Sequence, residues 1–270
     1  MSTEINGQRT GTHALGPEED LWHSRVFPSS LTDARKIVPV LLEATGAPHS
    51  VVDIGGGIGS WCVAFKENGA DRVVCIDDAR ISVGELLVGP NEFLGCDLSR
   101  GFPAPLRCDL AVCLEVAEHL PQTKAQSLVD FLCACADRVL FSAAIPGQDG
   151  FMHINLRPPV YWKGAFAKRG FQRFDLIRPG IIADNSLAFW YRQNVFLFAN
   201  DAGRMLLNKK GAPYEAIPED FEIVHSSVLA WYRKTPDPPS LRSLLKELVP
   251  AFRRSSAYRI KRILRSEEAG

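Results

Sequence analysis

The sequence has no excess of charge of either sign: 31 Lys and Arg stand against 31 Asp and Glu among 270 residues. Whole-protein attraction to a polyanion normally needs a clear surplus of Lys and Arg, so neutrality argues against a nucleic-acid enzyme. Long apolar runs are also missing. None approaches the roughly 18 residues needed to cross a bilayer, and the segment from Met1 to Arg9 has no apolar core of signal-peptide length. A soluble, cytoplasmic protein is the expectation. There is no Cys-x-x-Cys pair and the seven cysteines are odd in number, which excludes the usual zinc and disulfide frameworks. They read as small buried hydrophobes in a reducing compartment. No internal repeat is evident.

At 270 residues and 46% hydrophobic, the chain can bury a core without staples. Residues 1–31 are polar and read as an arm, with Asp33 capping a helix that Gly46 ends. From 32 to 200, short apolar runs alternate with helical stretches. The runs are Ser50–Ile54, Arg72–Ile76, Glu92–Leu94, Asp109–Leu114, Arg138–Ala143, Gln172–Ile177 and Phe189–Ala199. The segments between the first five are long enough for crossover helices, including Trp61–Asn68 and Pro121–Cys135. Such alternation predicts a Rossmann-like, doubly wound α/β fold with a seven-stranded, mainly parallel sheet. The last two runs, separated by no convincing helix, read as an antiparallel hairpin closing the sheet edge.

Residues 201–270 read as an extension. Between Ser240 and Gly270 eight Lys or Arg face three Glu, on two amphipathic stretches, Leu241–Val249 and Tyr258–Leu264. This basic tail suits an anionic membrane surface or a partner; a pair of packed helices with solvated charges is the favoured reading.

The informative stretch is Asp53-Ile-Gly55-Gly-Gly57-Ile-Gly59-Ser60, where the first strand turns into a helix. Glycines there permit a tight turn and close ligand approach, and the helix N-terminus offers unpaired N–H donors. A dinucleotide fingerprint wants Gly-x-Gly-x-x-Gly/Ala, and Ser60 stands at its third position. The observed Gly55-x-Gly57-x-Gly59 spacing after Asp53 resembles motif I of the class I S-adenosylmethionine-dependent methyltransferases. The resemblance spans about residues 32–200 and implies S-adenosylmethionine as cofactor. It places Asp53 toward the methionine end of the cofactor, Asp77 (with Asp78) at the ribose hydroxyls, and Asp97 and Leu98 beside the adenine.

The fourth strand exits through Glu115-Val-Ala-Glu118-His119-Leu120. In a helical turn Glu115, Glu118 and His119 would share one face, turned to the transfer site, with Glu115 also a candidate cofactor-binding residue. His119 is the candidate general base, with Glu118 beside it. Glu-x-x-Glu-His also resembles the metal-binding signature of ubiquinone-pathway and small-RNA O-methyltransferases, which implies a divalent metal (Mg2+ or similar) on Glu115, Glu118, His119 and His153. The small-RNA enzymes carry a second His directly after the first, where this chain has Leu120. Downstream, His153, Tyr161, Trp162, Arg192, Gln193 and Asn194 resemble a subgroup of bacterial methyltransferases acting on sugars or small metabolites. Aromatic faces beside amide and guanidinium groups suit a hydroxylated acceptor. O-methylation of a small metabolite or sugar is the reading. N-methylation of an amine, an NAD- or FAD-dependent oxidoreductase and a catalytically silent binding module are its rivals.

Overall fold

The computed structural model describes residues 17–208 except 149 and 151. The extension from 209 on, with its basic stretches, lies outside the described residues. No helix among the described residues is long and apolar enough to cross a membrane.

The chain opens with helix α1 (Pro17–Thr45), then alternates β1 (Ser50–Ile54), α2 (Ser60–Glu67), β2 (Arg72–Asp77), β3 (Phe93–Gly95) and β4 (Leu110–Leu114). It continues with α3 (Ala125–Cys135), β5 (Arg138–Ser142), α4 (Pro159–Ala167), β6 (Gln172–Phe174), α5 (Arg178–Ile181), α6 (Phe189–Asn194), β7 (Phe196–Ala199) and α7 (Asp201–Asn208). The seven strands form one sheet in the order β3-β2-β1-β4-β5-β7-β6. β7 runs antiparallel between β5 and β6, and the other pairings are parallel.

Every residue of β4 and β5 is buried, because helices cover both faces; such strands read as unbroken apolar runs rather than as alternation. The alternation survives in which face each residue serves. Val51, Val112 and Leu140 pack under α1 and α2, while Val52, Cys113 and Phe141 pack under α3 and α4.

Four expectations change. The boundary expected at residue 31 falls inside α1, so Asp33 is no cap; it lies in mid-helix, 4% exposed. The connection from β2 to β3 carries only single 3-10 turns, Val83–Glu85 and Pro90–Glu92, in place of a crossover helix. Phe189–Asn194 is helical rather than strand, because packing of Tyr191 on Trp61 overrides the local aromatic preference for strand. The antiparallel pair β6 and β7 does close the sheet edge, with α5 and α6 in its connection, β7 inside the sheet and β6 at the edge. At the other end, Leu207 of α7 is fully buried in the α1-side core, past residue 200.

Candidate active site

The C-terminal ends of β1, β2, β4 and β5 lie side by side, the edge where open α/β sheets collect ligands. The loop after β1 is built on backbone only glycine adopts readily: Gly55, Gly57 and Gly59 have φ of 73°, 58° and 94°. The Gly55 N–H donates to the Ile76 carbonyl at 2.7 Å. A Cβ on Gly55 would lie 2.3 Å from a Val116 methyl, so the loop is pressed against the exit of β4.

Asp77, at the end of β2, accepts the Gly57 N–H at 2.6 Å on Oδ2 and the Asp78 N–H at 2.6 Å on Oδ1. It thereby ties the glycine loop to the second strand and presents a half-buried carboxylate. Asp78 turns outward to Arg80, at 2.7 Å. Asp97 is also turned outward, paired with Arg100 at 3.0 Å, while Leu98 beside it is buried. Asp53 sits under the loop, 2% exposed, against the place a Cβ on Gly56 would occupy. Burial first, then the charge of Asp77, pushes its carboxyl up to about 8. Its Oδ2 has no hydrogen-bond partner among the described residues.

Beyond Val116, the exit of β4 is not the single helical face expected. Glu115 takes a left-handed φ of 54° and only Ala117–His119 forms a 3-10 turn. The Glu115 N–H donates to the Ser142 carbonyl at 3.1 Å, which locks this strained residue to the end of β5. Its side chain turns inward. Oε2 accepts from Gln148 Nε2 at 3.0 Å and Oε1 from Asn194 Nδ2 at 3.2 Å, and Asn194 also donates to Gln148 Oε1 at 2.9 Å.

Glu118 is fully buried. Its Oε1 accepts the Ala144 N–H at 3.2 Å, its Oε2 has no hydrogen-bond partner among the described residues, and Glu115 is its charged neighbour. Burial pushes both carboxyls up, and the negative charge of Glu115 pushes Glu118 further. Two adjoining buried carboxyls cannot both ionise at modest cost, so they hold one proton between them. The amides on Glu115 favour its anion and leave the proton to Glu118.

His119 is mostly buried, and burial, then the neighbouring His153, pulls its imidazole down to about 4. It is a neutral base at neutral pH. His153 Nδ1 donates to the Gln148 carbonyl at 3.1 Å, since a carbonyl only accepts, which leaves Nε2 as the ring nitrogen that could meet a ligand. The Glu118 carbonyl accepts the N–H groups of Ile154 and Asn155 at 2.8 and 3.0 Å, pinning the His153 loop to the His119 turn. Ligand atoms of Glu118, His119 and His153 all lie within 4.8 Å of one another. Once the Glu118 proton is displaced, its carboxylate and the two imidazoles fit a divalent ion, and a His whose other N–H is held by a carbonyl is the usual ligand arrangement. Glu115, expected among the ligands, stays outside this group because both its oxygens are held by amides.

The downstream residues divide. Tyr161 is half-buried near the same edge, but Trp162 is 3% exposed and packs on Phe141 with ring centroids 5.1 Å apart. The cavity it lines with Asn194 holds about 10 Å³, room for a water-sized group and not for a ring. Arg192 donates to the Ile182 carbonyl and to Asn185 Oδ1, and Gln193 is buried, so both are built into the fold around α6. Gln148, Ser142, Asn155 and Arg157 organise the site and carry no local motif that would mark them in the sequence.

Residues 25–142 match a protein-family model described as a methyltransferase domain. No curated protein matches the chain. Among solved structures, similarity of fold extends to the mitomycin 7-O-methyltransferase MmcR, at 15% identity over 67% of this chain and 57% of that chain, TM-score 0.48. It extends also to magnesium protoporphyrin IX methyltransferase from Synechocystis PCC 6803 with bound SAH, at 17% identity over 70% of this chain and 90% of that one, TM-score 0.48. A third is human N-acetylserotonin methyltransferase in complex with SAM, at 15% identity over 68% of this chain and 60% of that one, TM-score 0.44. The chain thus spans less than two thirds of the mitomycin and human enzymes. The match to a methyltransferase domain thus covers the first five strands of the β3-β2-β1-β4-β5-β7-β6 sheet, with the glycine loop and the exit of β4 inside it.

Proposed function

We propose that this protein transfers a methyl group from S-adenosylmethionine to a hydroxyl of a small metabolite or sugar. The observation that carries the reading is the contact of Gly55 with Val116, which sets the glycine loop directly against the turn bearing Glu118 and His119. A cofactor held by that loop then lies beside a neutral imidazole. The cradle fits S-adenosylmethionine: three left-handed glycines leave the backbone bare, and Asp77 offers a half-buried carboxylate for vicinal hydroxyls. When bound, S-adenosylmethionine supplies a methyl group activated by a sulfonium.

The chain's own part is positioning and proton removal. His119, uncharged through neutral pH, accepts the proton of the acceptor hydroxyl. The buried carboxyl pair carries net negative charge beside it and stabilises the imidazolium that results. Glu115, held by Gln148 and Asn194, fixes the far side of that pair.

Glu118, His119 and His153 also support a metal-assisted form of the same reaction, and these three residues would hold the ion. A divalent ion there would lower the pKa of a bound hydroxyl. A labelled-methyl transfer assay against sugars, phenols and amines, each with and without a chelator, tests both readings. Transfer only to amines would overturn O-methylation. Full activity in chelator would remove the metal and leave His119 as the base.

A further inference from the structure

Arg157 lies in the stretch between β5 and α4, half-buried and held on two sides. Its Nε donates to Asn155 Oδ1 at 3.0 Å, and its guanidinium carbon stands 5.1 Å from the centre of the Tyr161 ring. Asn155 is 3% exposed and donates in turn to the Ala117 carbonyl at 3.2 Å, while its N–H reaches the Glu118 carbonyl. Arg157 is thus fixed relative to the turn that carries Glu118 and His119. Yet it meets no carboxylate among the described residues. Arg169 and Arg178, also partly or fully buried, close on Asp130 and Asp175. A guanidinium has five donors in a rigid fork. Arg157 is half-buried and its terminal edge stays open to solvent, where an incoming anion can reach it.

A second feature adjoins it. Met152, Ile154 and Val160 are 59%, 57% and 52% exposed, three large apolar side chains within nine residues around His153 and Arg157. Single exposed apolar residues are ordinary, but three in the one segment that carries His153 and Arg157 offer apolar surface to a ligand there.

We propose that the methyl acceptor is a hydroxylated organic acid: Arg157 receives its carboxylate, and Met152, Ile154 and Val160 carry its apolar body. The inference rests on the reading above that this edge receives the acceptor. Charge complementarity selects the occupant. A bidentate carboxylate satisfies the terminal edge of Arg157, and the apolar side chains exclude a free sugar as the main body of the ligand. With the acid end anchored, the hydroxyl is delivered toward His119 and His153.

The test is binding without turnover, on the full chain, with two matched pairs of probes: protocatechuate and its amide, and hydroxylaurate and its amide. Calorimetric titration should show one acid binding at least about tenfold tighter than its amide, the order expected of a charge-assisted pair. Arg157→Gln should bring that acid down to its amide while leaving S-adenosylmethionine affinity and thermal unfolding unchanged. Arg157→Lys should keep part of the preference, because charge survives and the fork does not. Equal binding of acid and amide in both pairs, no binding of any probe, or an acid preference that persists in Arg157→Gln overturns the inference. S-adenosylmethionine is titrated in parallel. An Arg157-dependent acid preference without cofactor binding would sink the methyltransferase reading and leave this one standing.

Discussion

The imidazoles of His119 and His153 meet edge to face, 4.9 Å between ring centres and 70° between planes, although 34 residues separate them. What joins them is backbone: the Glu118 carbonyl accepts two N–H groups from the His153 loop. Two imidazoles beside a buried carboxyl form a site whose occupant, a proton or a metal ion, decides the charge at the acceptor. His153→Ala is therefore expected to weaken Mn2+ binding to the full chain at least about tenfold by calorimetric titration, as removal of a direct ligand should. Uptake of Mn2+ with unchanged affinity in this variant would remove His153 from the ligand set.

Gly55→Ala should be the most damaging small change in the cofactor loop. It places a Cβ 2.3 Å from Val116 at a φ of 73°. The strain and the overlap together are expected to cost about 1–3 kcal/mol and to abolish measurable S-adenosylmethionine binding. Gly69→Ala is the control: its φ of 97° carries similar strain, but nothing lies within 4 Å of its Cβ and it follows the C-terminal end of α2, at the opposite end of that helix from the loop. It should lose stability and keep the cofactor. Equal cofactor affinity in both variants would show that the loop is not the cradle.

How much of this was legible beforehand follows from the range of each interaction. Asp53, the three glycines and Asp77 announce themselves because strand, turn and helix are consecutive and the spacing is local. β1, β4 and β5 were readable as apolar runs because both their faces are covered. The segment Phe189–Asn194 was not, since its aromatic residues favour strand locally and only Trp61, more than a hundred residues away, makes it helical. The acceptor side was half legible. Glu118 and His119 stood out as a motif, but the amides that hold Glu115 come from Gln148 and Asn194, 33 and 79 residues downstream. No local pattern connects them. Arg192 and Gln193 looked functional because polar residues in an expected strand had no evident partner; the fold supplies partners upstream of α6, the Ile182 carbonyl and Asn185 for Arg192, and Arg178, which donates to the Gln193 carbonyl.

Asp77→Asn separates the two duties of that carboxylate. An amide oxygen still accepts one of the two N–H groups that Asp77 holds, from Gly57 or Asp78, so the fold should survive. The charge proposed to receive the ribose hydroxyls is lost. Hydrogen bonds to a charged group are worth roughly 1.5–3 kcal/mol, and S-adenosylmethionine affinity should fall by about one to two orders of magnitude. Calorimetric titration beside a thermal unfolding scan checks it. A large drop in unfolding temperature with unchanged affinity would make Asp77 a loop tether only.

Asp33 offers a test of the fold that does not touch the site. It lies inside α1, 4% exposed, and burial raises its carboxyl from 3.8 to about 6, with Asp184 adding to the rise and the Ala188 N–H and Lys36 opposing it. The folded state therefore binds this proton more tightly than the unfolded state. Stability from the group is complete below about pH 4 and is lost as pH rises through 6. Asp33→Asn keeps an oxygen for the Ala188 N–H and removes the ionisation. The variant should be more stable than the parent at pH 8, by on the order of 1–3 kcal/mol. At pH 4, where the parent carboxyl is protonated in the folded state, the difference should shrink. Unfolding temperatures recorded at both pH values decide it. A variant less stable than the parent at pH 8 would mean that the charge attracted to Lys36 outweighs the cost of burying it.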